Sequence, residues 1–91
     1  MIVGKVVGSL WATRKDNKLN GLTFLMVKPY SHDDARVQHE YIVAADNAGA
    51  GVGDNVLVTT GSAARTSLAN ADIPVDAVIV GIIDSIEVTD E

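Results

Sequence analysis

The stretch Ala44–Val58, "AADNAGAGVGDNVLV", carries the feature that most invites a chemical reading. Three glycines stand at alternate positions, Gly49, Gly51 and Gly53, with Ala50 and Val52 between them. Glycine-rich loops cradle phosphates when their amides converge at the start of a helix. Here the spacing is G-x-G-x-G rather than the dinucleotide pattern G-x-G-x-x-G. The residues that follow, "DNVLVTT", are rich in β-branched side chains and predict a strand, not a helix. No lysine follows at the position a P-loop needs, and Asp46 and Asp54 flank the loop with negative charge. Nucleotide binding is disfavoured. A tight connection between two strands accounts for two of the glycines through positive φ. The third needs another reason, such as the close approach of a second backbone.

Two other groups of residues have the right atoms for chemistry and the wrong arrangement. His32 and His39 lie near Asp33, Asp34 and Glu40, but their spacing matches no recognised metal-ligand pattern, and the stretch reads as a solvated surface loop. Ser62 lies in "TTGSAAR", outside the G-x-S-x-G setting of a hydrolase nucleophile. Thr59, Thr60 and Ser62 are better placed to cap a short helix. No catalytic, cofactor-binding or metal-binding constellation emerges.

Composition narrows the classes further. Ninety-one residues make one domain, 1–91, with a thin core. Hydrophobic residues are 47% of the chain and the mean hydropathy is +0.21, more apolar surface than one small core hides. The surplus points to an oligomer interface. A net charge of −5 argues against nucleic acid and against anionic membrane surfaces. The absence of cysteine removes disulfides and thiolate metal sites. With no signal-peptide pattern at the start and no apolar run of about 20 residues, the expected location is the cytosol. The charges divide unevenly. Residues 1–45 hold six of the seven Lys and Arg against four acids, net +2, while residues 46–91 hold Arg65 alone against eight acids, net −7. The division is either solvated surface charge or complementary subunit edges, with Arg14, Lys15 and Arg65 the candidate anchors.

The elements that would position these residues are nearly all β. Strands are expected at Ile2–Thr13, Leu22–Tyr30, Tyr41–Asp46, Asn55–Thr60 and Val75–Val88, with one short helix within Ser62–Leu68. Gly4, Gly8 and Gly81 mark expected bends or bulges. Five strands with one short helix before the last predict an all-β, five-stranded, OB-like closed barrel. Strands one and five are apolar on both faces, so one face fills the barrel and the other is expected to meet a neighbouring subunit. Trp11 suits either the core or an interface.

Three segments together carry a family resemblance: "GKVVGSLWATRKDNKLNGLTFLMVKP", "AADNAGAGVGDNVLVTTGSAAR" and "PVDAVIVGIID". In that order they resemble the EutN/CcmL family, the pentameric vertex proteins of bacterial microcompartments, carboxysomes included. The resemblance spans nearly the whole chain; the loop Ser31 to Glu40 and the acidic tail fall outside it. It implies an OB-like barrel assembled as a homopentamer, without catalysis or cofactor, set among hexameric shell proteins of another family. "ATRK" places Thr13, Arg14 and Lys15 at one family motif, and "GSAAR" places Ser62 and Arg65 at another, as subunit or shell contacts. Ala63 stands where the family more often has Ser. The resemblance also implies that the loop Asn47, Ala48, Gly49, Ala50, Gly51, Val52 and Gly53 crowds a fivefold axis, where glycine lets five backbones share a narrow space. The competing classes are an OB-fold nucleic-acid binder and a small-ligand barrel. A nucleic-acid binder uses a basic groove with stacking aromatics, whereas this chain is acidic and has only Trp11, Phe24, Tyr30 and Tyr41.

Overall fold

The computed structural model describes residues 1–11, 17–19, 21–30, 41–68 and 75–84. Thr13, Arg14 and Lys15, and the histidines of the loop Ser31 to Glu40, lie outside the described residues. Five strands form the expected closed barrel: β1 (Ile2–Leu10), β2 (Thr23–Pro29), β3 (Ile42–Asp46), β4 (Asn55–Thr60) and β5 (Ala77–Ile82). A 3-10 turn, Asn17–Leu19, precedes β2, and one helix, α1 (Ser62–Ser67), lies between β4 and β5. Around the barrel the order is β1-β2-β3-β5-β4, closing back onto β1. Every pairing is antiparallel except β3 with β5.

Alternation along the strands sends one set of side chains inward. Val6, Leu25, Val27, Ala44, Val56, Val58, Ala77 and Ile79 fill the barrel. A second, smaller core lies outside the sheet, where Ala64 of α1 packs with Ala45, Val75 and Val78, bordered by Phe24 and Leu68. Successive residues Ala44 and Ala45, and Val78 and Ile79, are therefore all fully buried, because β3 and β5 are covered on both faces. This corrects one expectation: along this stretch the second apolar face of strand five meets the chain's own helix, not a neighbour. Among the described residues no element packs over the outer face of β1 at Val7, which is 41% exposed.

The glycines of the strands divide by role. β1 slips by one residue against β2 between Val6 and Gly8, leaving Val7 without a partner, and β4 slips against β5 between Leu57 and Val58, beside Gly81. These bulges curve the strands enough to close so small a barrel. Gly4 marks no bulge. Its register with Val56 and Pro29 is continuous, and its glycine is required by space: an added Cβ would lie 2.6 Å from a Val27 methyl and 2.8 Å from the Lys28 carbonyl oxygen. The strands β1 and β5 end earlier than expected within the described residues, at Leu10 and Ile82.

The helix start is also corrected. The N-cap of α1 is Gly61 at φ 70°, with no side-chain capping bond. Thr59 and Thr60 are the last residues of β4, and Thr59 is buried. The chain turns from strand to helix too sharply for a β-branched residue at the joint, and glycine takes the left-handed conformation instead.

Candidate functional site

The loop between β3 and β4 is built by the two aspartates that bracket it. Asp46 ends β3, and its carboxylate accepts from two amides further on: Ala48 N–H to Oδ1 and Ala50 N–H to Oδ2, both at 3.0 Å. Asp54 reaches back, its Oδ2 accepting from Gly51 N–H at 2.9 Å, while its own N–H donates to the Gly51 carbonyl at 3.0 Å. The ends are tied to the barrel, Asn47 N–H to the Ile79 carbonyl at 3.1 Å and Gly53 N–H to the Val6 carbonyl at 2.9 Å. Ala48 and Ala50 pack down onto the barrel core.

This arrangement bears on the phosphate question through the loop's own amides. Six of the backbone N–H groups from Asn47 to Asp54 already donate to acceptors of the chain itself. A phosphate cradle needs those amides free and converging. The carboxylates do more than repel an anion, because they occupy the donors an anion would use. An aspartate whose side chain accepts from the amide two residues on is a recurrent turn device. The sequence carries that signal in "DNA", Asp46 to Ala48.

Positive φ explains two glycines of the loop, Gly49 at 77° and Gly53 at 96°. Gly51 is the third. Its φ is not in the left-handed region, and a Cβ added to it would meet nothing within 4 Å. Among the described residues, nothing within the chain requires glycine at position 51. Beside it, Val52 is 67% exposed, a large apolar side chain at the tip of a pinned loop.

The other proposed contact residues are divided. Ser62 is exposed at the start of α1. Arg65 is half-buried, and its guanidinium makes a long 3.5 Å contact with the Val75 carbonyl, linking α1 to the approach to β5. Part of its role thus lies within the subunit. Among the described residues neither Ser62 nor Arg65 hydrogen-bonds to the glycine loop; α1 is joined to it by Asn47 Nδ2 donating to the Ser67 carbonyl at 3.4 Å. Trp11 is 94% exposed, outside both cores, and borders a groove of about 410 Å³ with Leu10, Leu22 and Phe24. Among the described residues no three His, Cys, Asp or Glu side chains cluster as metal ligands would.

The described residues form a small closed barrel that presents exposed apolar side chains: Val52 on the hydrogen-bonded loop, Val7 on β1 and Trp11. Comparison with known proteins gives that class its family. The chain belongs to the EutN/CcmL family, described as ethanolamine utilisation protein EutN/carboxysome, which residues 1–84 match. The carboxysome shell vertex protein CcmL of Nostoc sp. is 44% identical over 91 residues, covering 99% of this chain and 89% of the relative. The structure of Gloeobacter violaceus CcmL matches with a TM-score of 0.83 at 39% identity, covering 97% of this chain and 90% of that one. The pentameric microcompartment shell protein GrpN from Rhodospirillum rubrum matches with a TM-score of 0.82 at 33% identity, covering 98% and 100% of the two chains.

Proposed function

We propose that this chain is a structural protein of a bacterial microcompartment shell, in the cytoplasm, that assembles as a homopentamer and closes the shell's vertices. It works beside hexameric shell proteins and neither catalyses a reaction nor binds nucleic acid or membrane. Its glycine loop, Asn47 to Gly53, surrounds a narrow opening on the fivefold axis. The names and the pentameric structure of its relatives support the assembly. The observation that carries the placement of the loop is Gly51, a glycine with no steric or backbone reason inside its own chain. Five copies meeting at one axis supply the reason, because each Cβ would face four others at the same radius.

The test is native mass spectrometry of the parent, Gly51→Ala and Gly51→Val. Five chains of 9.6 kDa give a parent species of about 48 kDa. With φ outside the left-handed region, Gly51→Val introduces little backbone strain. It is therefore expected to shift the pentamer toward monomer while circular dichroism still reports an intact β fold. A Gly51→Val protein as pentameric as the parent places the loop away from the axis. A parent that is monomeric at micromolar concentration removes the whole reading.

A further inference from the structure

On the outer face of the barrel a row of residues crosses three strands: Lys28 of β2 stands opposite Lys5 of β1, and Lys5 stands opposite Asn55 of β4. Residues directly opposite on neighbouring strands point to the same side, with Cβ atoms roughly 5 Å apart. Both lysines are exposed. Like charges in this position repel, so the pairing destabilises the sheet that carries it. No carboxylate among the described residues pairs with either lysine. The third member of the row is oriented by Tyr30, whose hydroxyl donates to Asn55 Oδ1. That bond engages the acceptor of the Asn55 amide and leaves its Nδ2 as donor. The row thus presents two ammonium groups and an amide N–H₂, all donors, with its one side-chain acceptor engaged.

We infer that the row Lys28–Lys5–Asn55 is a carboxylate-binding site, and that its occupant is an acidic side chain of a neighbouring copy of this chain. The chemistry of the row selects an anion. The charge division of the chain selects the source: residues 46–91 carry eight acids against one arginine, while Lys5 and Lys28 belong to the half with a surplus of positive charge. In a ring of identical subunits the basic row of one copy then meets a carboxylate of the next. The local repulsion is tolerated because the assembly neutralises it. The inference rests on the homopentamer proposed above.

The test compares the parent with Lys5→Gln/Lys28→Gln, Lys5→Glu/Lys28→Glu and Lys5→Arg/Lys28→Arg by native mass spectrometry across salt concentrations, with thermal melts of the dissociated subunits. The parent pentamer is expected to dissociate more readily as salt rises, since the contact is electrostatic. The glutamine pair is expected to raise the concentration of half-dissociation by about tenfold, and the glutamate pair by more. The arginine pair retains the assembly, because a guanidinium also grips a carboxylate. The glutamine pair is also expected to leave the isolated subunit as stable as the parent or slightly more so, because it removes repulsion. Loss of subunit stability would mark the lysines as structural and overturn the inference. So would a pentamer indifferent to salt and to the glutamate pair, an outcome that leaves the pentameric reading standing. Titration with inorganic phosphate covers the remaining source: saturable phosphate binding lost in the glutamine pair, with the pentamer unchanged, assigns the row to a free anion instead. A monomeric parent overturns inference and reading together.

Discussion

Gly4 and Gly51 are the same residue type in two regions with opposite accounts. Gly4 lies in the barrel wall, where an added Cβ would collide with the Val27 side chain and the Lys28 backbone. Gly51 lies in a loop where an added Cβ would meet nothing. The first glycine is explained entirely by its own subunit. The second has no such account within its own subunit, and on the proposed function the neighbouring subunits supply it. A position where a side chain is free within one chain and crowded only among copies separates the requirements of folding from those of assembly.

The largest effect is expected at Gly4. Gly4→Ala forces backbone and a stiff valine to move, an overpacking cost of about 2 kcal/mol. For a domain of this size that lowers Tm by roughly 10 °C; Gly4→Val lowers it further, and both are read from thermal melts at any protein concentration. A Gly4→Ala protein as stable as the parent would show that the wall yields and that the contrast is false.

The next effect concerns what keeps the loop stiff. Asp46→Ala strips the acceptor from the Ala48 and Ala50 amides, an expected loss of ~1–3 kcal/mol. Hydrogen exchange at those two amides is expected to accelerate while the amides of the barrel strands keep their protection. Unchanged exchange at Ala48 and Ala50 would mean the aspartate is not what pins them.

The smallest effect is the sharpest. Gly49→Ala places a Cβ on a residue with φ 77° and costs ~1–2 kcal/mol. Gly51→Ala, two residues away, is expected to leave the melting of the dissociated subunit within experimental error. Equal losses at the two positions would remove the distinction between a glycine required by its backbone and one required by its neighbours.

Much of the barrel was legible because its strands are written in β-branched runs. "NVLVTT" is β4 without adjustment, and the glycines beside both bulges were visible. What escaped was the source of cover. Val78 is apolar on the outer face of β5, and burial under α1 demands the same residue type as burial under another subunit. Sequence pattern records that a face is covered and not by what. The helix start escaped for a related reason: Thr59, Thr60 and Ser62 have capping side chains, but the turn angle at Gly61 decides the joint. In the loop, the number of glycines was informative, and so was the suspicion that one of them lacked a local reason. Which one it was required the backbone angles.

The parallel pairing of β3 with β5 has a consequence for the order of events during synthesis. β5 follows the other four strands in the chain, and among the described residues it alone bridges β3 and β4. Until Ala77–Ile82 emerges, β3 and β4 each keep a row of unpaired amides and carbonyls, and Ile79 is missing from the interior. Without β5 the other four strands pair only as an open ribbon, and the docking of β5 closes the ring. On the proposed function the pentamer is built from closed barrels, and only a chain that has docked β5 presents one.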